Sequence, residues 1–481
     1  MTGAKRHIRK RLSQLEKHLQ RENPLLVEAV DSFRKLDRVA YSLGLLDRNE
    51  SFAMHISWWP LISVLGTFSA GKSTFINHYI GSGLQSTGNQ AVDDKFSVIC
   101  HSPDAEPHVL PGIALDADPR FPFYQFSDEL DKVAEGEGRR VETYLQLKTT
   151  NSESLKGKII IDSPGFDADA QRTATLRITS HIIDLSDLVL IMFDARHPEP
   201  GAMQDTLRHL VDETIERADS SKFLYILNQI DMSAREDNPE QIVAAWQRAI
   251  AQHGLTAGKF YTIYSPDAAI TIEDDTLRQR YEQKRDADLN EIHSRINQVG
   301  VERVYRIMAA LDERARRIEE DIIPELLEYK KKWANHTAAY NLFFIILFIA
   351  AGIGGGLLAG YWLNGVASFP FSDITSSMKN ILVMAIGGVF AITGIHYLSR
   401  HLAAKGIIRK LKKTLPANPE SERFIRAFRH NTRFLSSVFT PGPRGWNRFT
   451  RRRLQQVRSE ADKYVQTLNN KFTDPSGESE T

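Results

Sequence analysis

The run Gly66-Thr67-Phe68-Ser69-Ala70-Gly71-Lys72-Ser73-Thr74 sets a lysine and a hydroxyl directly after a glycine, at the spacing G-x-x-x-x-G-K-[ST]. That spacing suits phosphate chemistry. The glycines let the backbone curl until successive N–H groups face one anion at the positive end of a helix. Lys72 then reaches the outer phosphates, and the Ser73 hydroxyl ligates Mg2+. Such a loop needs a strand before it and a helix after it. Leu61-Ile62-Ser63-Val64-Leu65 reads as a buried strand, and Phe75-Ile76-Asn77-His78-Tyr79 continues as a helix.

Further elements follow in order. The apolar run Lys158-Ile159-Ile160-Ile161 ends in Asp162-Ser163-Pro164-Gly165, a D-x-x-G element. Asp162 at a strand end can hold the Mg2+ shell, and the Gly165 amide can approach a γ-phosphate. A third strand, Leu188 to Phe193, ends at Asp194, and a fourth, Phe223 to Leu227, ends in Asn228-Gln229-Ile230-Asp231. This tetrad resembles the N-K-x-D element of GTPases, whose aspartate accepts hydrogen bonds from guanine. Phe260 to Tyr264 reads as a last strand, with Ser265 in a second base-side loop. Every motif falls where a strand ends, the place where open α/β sheets bind ligands. The fold expected is an α/β P-loop NTPase domain, a mostly parallel sheet with helices on both faces.

The chain of 481 residues exceeds one ordinary core. Its net charge of +1 conceals a skewed distribution: Arg400 to Glu460 holds 16 Lys and Arg against 3 Asp and Glu. The first 21 residues add 7 basic groups against Glu16 alone. Basic excess at both ends suits an anionic membrane surface; nucleic-acid binding has no motif behind it, and no specific nucleic acid is expected. The sole cysteine, Cys100, reads as a buried strand residue, which excludes a disulfide or cysteine–metal framework. Residues 1–20 contain no apolar stretch of the kind a cleavable secretory signal needs.

Two stretches point to a bilayer. Asn341–Leu363 runs 23 residues without a charge, and Asn380–Leu398 runs 19 with only His396 titratable. Each approaches the roughly 20 residues that span a hydrocarbon core, and their glycines allow close helix approach in lipid. Lys330, Lys331 and Lys332 precede the pair; Arg400, Lys405, Arg409, Lys410, Lys412 and Lys413 follow it. The positive-inside rule then puts both termini in the cytoplasm, giving a two-pass integral membrane protein. A buried hairpin in a soluble bundle is the alternative. Ile8, Leu12, Leu15 and Leu19 form one helical face, and Pro24 opens a second helix with its own stripe. A long amphipathic segment follows from about Leu277 to Trp333, with Pro324 marking a kink; its stripe suits either a stalk standing on the membrane or packing on the nucleotide domain. A helix near Glu420–Val438, a Pro441-Gly442-Pro443 break and a helix from about Trp446 to Leu468 close the pattern. The expected layout is an N-terminal helical segment at 1–57, the nucleotide domain at 58–275 and a helical stalk at 276–338. A transmembrane hairpin at 339–398, a basic helical region at 399–472 and a disordered tail at 473–481 follow. Arg444, Trp446, Arg448, Phe449 and Arg451 to Arg453 form a cluster fit either for anionic headgroups or for a solvated helix face.

The loop Thr67 to Thr74 resembles that of the dynamin superfamily. Ile161-Asp162-Ser163-Pro164-Gly165, Leu190 to Ala195 and Asp94-Lys95-Phe96-Ser97-Val98-Ile99 resemble its EH-domain-containing branch, over roughly residues 60–270. The hairpin stands where mitofusin-like and some bacterial dynamin-like proteins carry theirs. The resemblance implies a GTPase with Mg2+ that dimerises across its nucleotide sites, assembles into higher homo-oligomers and remodels, tethers or fuses membranes, a bacterial inner membrane being favoured. It implies nucleotide contacts from Gly66 through Thr74, Gly165, Asn228, Gln229, Asp231 and Ser265, and Mg2+ contacts from Ser73, Asp162 and a switch threonine. Departures accompany it. Phe68 stands where dynamins place a water-orienting glutamine, while Ser69 keeps their charge-compensating serine. The switch threonine is missing in register, so Thr87 is the nearest candidate and Ser86 a weaker one. Gln229 replaces the base-stacking lysine; Asp231 favours GTP, but adenine-binding relatives carry a similar tetrad, so ATP is the alternative. The rival expectation is a nucleotide-gated membrane scaffold that hydrolyses little and recruits partners.

Overall fold

The computed structural model describes residues 4–22, 24–67, 69–87, 95–118, 121, 123, 127, 141–165, 172–196, 220–235, 239–252, 259–358, 362–363, 366–367, 378–416, 418–434, 436–440 and 442–472. Phe68, the stretch 88–94 and the tail 473–481 lie outside these residues.

In chain order the elements are α1 (Arg6–Glu22), α2 (Pro24–Leu43), β1 (Leu61–Gly66), α3 (Lys72–Ile80), β2 (Phe96–His101), β3 (His108–Pro111) and α4 (Ile113–Ala117). Next come α5 (Val141–Tyr144), β4 (Leu145–Thr150), β5 (Ile159–Asp162), α6 (Arg172–Leu185), β6 (Leu188–Asp194), β7 (Phe223–Asn228), α7 (Pro239–Gln252) and β8 (Lys259–Thr262). The remaining helices are α8 (Asp275–Arg317), α9 (Ile323–Leu358), α10 (Met378–Thr414), α11 (Pro419–Asn431) and α12 (Arg448–Phe472). The chain divides into two compact units: Leu15–Leu26 with Met54–Ile307, and Met1–Gln14 with Val27–Ala53 and Met308–Thr481.

The first unit is built on an eight-stranded sheet of order β3-β4-β2-β5-β1-β6-β7-β8. β1 pairs in parallel with β5 and β6, and β6-β7-β8 continue in parallel, while β2 meets β5 antiparallel. Strand side chains alternate between faces, and the two cores follow that alternation. Ile62, Val64, Leu190, Met192 and Ile226 face α3 and the Leu289, Ile292, Ile296 and Val299 stripe of α8. Leu65, Val189, Ile191, Phe193 and Tyr225 face Trp246 and Ile250 of α7. Of the two readings of that long stripe, stalk or packing on the nucleotide domain, its first half follows the second and is part of this domain's core. β3 and β4 went unforeseen. β8 ends at Thr262, short of the expected Tyr264, because the Ile263 carbonyl turns to the Ile230 N–H at 3.3 Å. Cys100 is half-buried where full burial was expected.

The second unit is helical. Ser32 and Lys35 of α2 both donate to Glu460 of α12 at 2.5 Å, and Glu50 takes a two-pronged bond from Arg426 of α11 at 2.6 and 3.1 Å. α8 passes into α9 through a π turn at Ile318–Ile322, just before Pro324. The extra residue shifts the register of the apolar stripe: Ile323 is buried at 4% exposure, whereas the expected Ile322 is only half-buried. α11 stops at Asn431, seven residues before the expected Val438. There Asn431 donates to the Ala427 carbonyl and accepts from the Arg444 N–H, which pins the chain into a turn.

α9 and α10 lie side by side and antiparallel: Trp333 Nε1 donates to the Arg400 carbonyl at 3.1 Å, and Asn341 meets His396 at 3.1 Å. Leu342, Phe343, Ile346, Leu347 and Phe348 on α9, and Leu382, Val383, Val389, Phe390 and Ile392 on α10, are each more than half exposed. Among the described residues, one helical run, Asp275–Gly355, is long and apolar enough to cross a membrane, and none of its apolar window is buried.

Candidate functional site

Strand register brings the motif residues to one edge. Val64 pairs with Asp162, Gly66 with Met192, and Asp194 with Asn228, so β1, β5, β6 and β7 end close together. The loop leaves β1 so tightly over β6 that a Cβ on Gly66 would sit 2.4 Å from the Met192 carbonyl oxygen. Gly71, the N-cap of α3, has φ +80°, and a Cβ there would sit 2.2 Å from Asn228 Nδ2. Only glycine meets both conditions at that position. Lys72 opens α3 and folds back: its Nζ donates to the Gly66 and Thr67 carbonyls at 3.1 and 3.0 Å. Burial pulls its ammonium below the usual lysine range, and the charge of Asp162 acts the other way.

The Ser73 hydroxyl donates to Asp162 Oδ2 at 3.2 Å. A hydroxyl and a carboxylate at this separation are hard oxygen donors of the type Mg2+ takes. Among the described residues no group of three or more His, Cys, Asp or Glu could hold a metal. A divalent ion here would therefore need phosphate oxygens beside Ser73 and Asp162, and the residues present fit that arrangement.

Two consecutive amides brace the loop from the β7 side. Asn228 Nδ2 donates to the Ala70 carbonyl at 2.9 Å and Gln229 Nε2 to the Ser69 carbonyl at 2.6 Å. Ser69 and Gln229 both hold left-handed backbone, at φ 60° and 64°. For residues with a Cβ this costs of order 1–3 kcal/mol each, so the contact joins two strained positions. Gln229 is thus committed to the phosphate loop. Asp231 is buried and its Oδ2 accepts the Ile270 N–H at 3.0 Å. Thr74, His78, Asn228, Tyr264 and Ser265 line a shallow cleft beside the loop. Ala70 is buried in the core, Gly165 is half-buried after Pro164, and Thr67 offers its carbonyl to Lys72.

Thr87 is exposed; the same segment reaches Asp162 through Gln85 instead. Gln85 Nε2 donates to Asp162 Oδ2 at 2.6 Å, and its Oε1 accepts from Lys148 Nζ on β4 at 2.6 Å. Asn77 of α3 clamps the Gln85 backbone at both its N–H and its carbonyl, at 2.8 and 2.7 Å. Gln85 is 2% exposed and Lys148 5%, so this chain runs through the interior. Sequence reasoning missed Gln85, Asn77 and Lys148. The one available signal was a lysine inside the alternating strand Leu145-Gln146-Leu147-Lys148, a position that requires a partner when buried.

The Dynamin family model matches residues 62–230. EH domain-containing protein 1 of Arabidopsis thaliana is 25% identical over 181 residues, 36% of this chain and 30% of the relative. The protein of the same name in Homo sapiens is 27% identical over 143 residues, 28% of this chain and 25% of the relative. The chain thus spans less than a third of these curated relatives. A solved structure described as an oligomerised bacterial dynamin pair in the long-range sensing and tethering of membranes aligns with 96% of this chain and 75% of its own, at 13% identity. Its TM-score is 0.32. The phosphate loop and the D-x-x-G strand end fall inside the matched region, which closes at Ile230, one residue before Asp231 completes the base-side tetrad. Residues 62–230 thus form a domain that matches the Dynamin family and is similar to the EH domain-containing proteins.

Proposed function

We propose that the chain is a membrane-anchored dynamin-like GTPase that hydrolyses GTP with Mg2+. Nucleotide-dependent dimerisation and higher homo-oligomerisation would couple this to membrane remodelling, tethering or fusion. One observation carries the reading: Lys72, Ser73 and Asp162 meet at the strand-end edge in a chain that also holds an outward-facing apolar helical run.

Lys72 would hold the β- and γ-phosphates, with the backbone from Gly66 through Thr74 wrapped around them and the Gly165 amide on the γ-phosphate. Ser69 would sit against the β,γ-bridge. Asn228, Asp231 and Ser265 would form the base side, with Gln229 beside them held onto the phosphate loop by its bond to the Ser69 carbonyl. There the Asp231 carboxylate, an acceptor only, suits the paired N1–H and N2–H2 donors of guanine, a pair that adenine does not carry; this favours GTP over ATP. Ser73, Asp162 and Thr87 would serve Mg2+, which supplies neutralisation of charge developing on the phosphates. Phosphoryl transfer to water needs positioning more than covalent help. Membrane attachment would run through α9 and α10 as a two-pass hairpin with cytoplasmic termini, in a bacterial inner membrane, with anionic lipids paired by the basic C-terminal region.

A second reading, a nucleotide-gated scaffold that hydrolyses little, is favoured by the exposed Thr87 and by Phe68, which has no group to orient water. Binding of GTP and ATP, measured side by side in wild type and Lys72→Ala, tests the site. Loss of the lysine should weaken binding of the preferred nucleotide about 10- to 100-fold, the size of one or two bonds to a charged group; equal binding would sink the site assignment. Turnover that rises with protein concentration and lipid supports the assembling GTPase. Wild-type turnover as low as that of Lys72→Ala supports the scaffold.

A further inference from the structure

The segment after α11 is tied to the foot of the α9–α10 pair. Arg400 donates to the Arg433 carbonyl at 3.1 Å and to the Ser436 carbonyl, while its guanidinium lies over the Trp333 and Tyr397 rings at 5.2 and 5.1 Å. Lys330 donates to Thr440 Oγ1 at 2.9 Å and to the Gly442 carbonyl at 2.5 Å. Phe434 stacks on Tyr397 with ring centroids 4.0 Å and planes 13° apart. Although the segment is pinned this firmly, its two phenylalanines face outward: Phe434 is 66% exposed and Phe439 86%.

Their level along the helices indicates what should cover them. Trp333 and Arg400, joined by a hydrogen bond, mark one level of the pair. On one side of it the outward apolar band begins, two residues (about 3 Å) away at Leu398 on α10 and nine residues (about 13.5 Å) away at Leu342 on α9. On the other side, Lys330 lies three residues away, about 4.5 Å of helix rise, and Thr440 is fastened to it. A headgroup zone is about 5–8 Å deep on each face of a bilayer. Placed at the α10 end of the apolar band, Leu398, such a zone begins beside Tyr397 and the Phe434 ring stacked on it, and about 7.5 Å farther it reaches the Lys330 level, where Thr440 next to Phe439 is fastened. The charge agrees: residues 423–459 hold ten arginines and no Asp or Glu, and Arg429 and Arg433 are exposed.

We propose that residues 432–434 and 436–440 form an interfacial anchor, with Phe434 at the headgroup–acyl boundary, Phe439 within the headgroup zone and Arg429 and Arg433 pairing lipid phosphates. The proposal rests on the reading of α9 and α10 as membrane-spanning. The anchor would fix the depth and tilt of the hairpin foot, where Arg400 and Lys330 already hold it to both helices.

The test uses the full chain in vesicles of phosphatidylglycerol and phosphatidylethanolamine. A Cys100→Ser background carries one reporter cysteine at a time, Phe434→Cys, Phe439→Cys or Leu347→Cys, each labelled with an environment-sensitive fluorophore. All three sites are more than half exposed; Phe434→Cys gives up the stack on Tyr397, so the 439 label, whose side chain is 86% exposed, is the deciding reporter. Labels at 434 and 439 should shift to the blue and lose emission to lipids brominated high on the acyl chain, and the 347 label to lipids brominated deep. A 347 label quenched by lipid beside a 439 label quenched only by aqueous iodide overturns the anchor and spares the spanning reading; a protein partner would then be what covers these phenylalanines. If no label is quenched by lipid, both readings fall.

Discussion

Asp162 is a buried carboxylate whose orientation depends on its neighbours. Ser73 and Gln85 both donate to its Oδ2, and Lys148 holds the far end of the Gln85 amide. A cation on Oε1 polarises that amide and strengthens its donation to Asp162. Gln85→Leu removes both side-chain bonds while leaving the Asn77 clamp on the backbone. The Mg2+ concentration that half-saturates nucleotide retention should rise about tenfold, the size of one bond to a charged group. Release of a fluorescent GTP analogue against Mg2+ reads this, and an unmoved midpoint would remove Gln85 from the site. Asp37 shows burial acting on a carboxylate elsewhere. Desolvation lifts it to about 7, although the Ser51 hydroxyl, the Phe52 N–H, Arg314 and Arg34 all favour its charged form. Its folded-state pKa exceeds the unfolded one, so its contribution is complete below about pH 4 and lost as pH rises toward 7. His430 and His293, which burial holds below the usual histidine range, act in the opposite sense at the acid end. Asp37→Asn should flatten the fall in melting temperature between pH 5 and pH 8; a fall as steep as wild type's would assign the slope to other groups.

At the scale of elements, one buried charge gathers three of them. Asp187, 1% exposed at the entry to β6, accepts from the first N–H of β1 at 2.9 Å and from Arg303 and Arg306 of α8 at 3.0 and 2.7 Å. Arg303 also donates to the Ser57 carbonyl. These bonds hold α8 against the sheet face that its Ile292 and Ile296 already cover. Removing the buried partner of an ion pair costs up to about 3–5 kcal/mol, and here it leaves Arg303 and Arg306, 14% and 33% exposed, without their shared carboxylate. Asp187→Ala should therefore lower the first melting transition by about 10 °C in a domain of this size. A shift within error would mean that apolar packing alone holds α8 in place. The π turn before Pro324 is another device at this scale. Proline has no N–H and crowds the carbonyl four residues back, so the helix takes in one extra residue and the apolar face continues from Ile323.

For the whole molecule, the α9–α10 pair is the feature that water alone does not explain. An apolar surface this continuous on two adjacent helices marks a membrane or an interface. With α9 and α10 both spanning and both termini cytoplasmic, the connection 364–379 lies across the bilayer. In sealed inside-out vesicles a protease should spare that connection while digesting the nucleotide domain. Cleavage within 364–379 from the same side would reduce the pair to a monotopic or soluble hairpin. A Leu347→Arg change places a charge in the apolar band at about 2.5–3.5 kcal/mol; carbonate extraction should then release more protein than from wild type.

Local patterns were enough for much of this molecule. Strands at 61–66, 159–162, 188–194 and 223–228 stand out as apolar runs ending in polar motifs, and α1 and α2 bury the stripes their spacing announced. These signals are short-range: period, glycine and proline positions, and the phosphate-loop spacing all lie within a few residues of one another. What required the tertiary structure is long-range. Gln85 and Lys148 are 63 residues apart in sequence yet meet at 2.6 Å, and no local period encodes that. Gln229 had the spacing of a base-stacking residue, but the fold turns its amide onto Ser69, 160 residues earlier. The first half of α8 carries an amphipathic stripe that suits a stalk and a domain core equally well. Only the opposing face of the sheet, with Leu190, Met192 and Ile226 waiting for it, decided which surface that stripe covers.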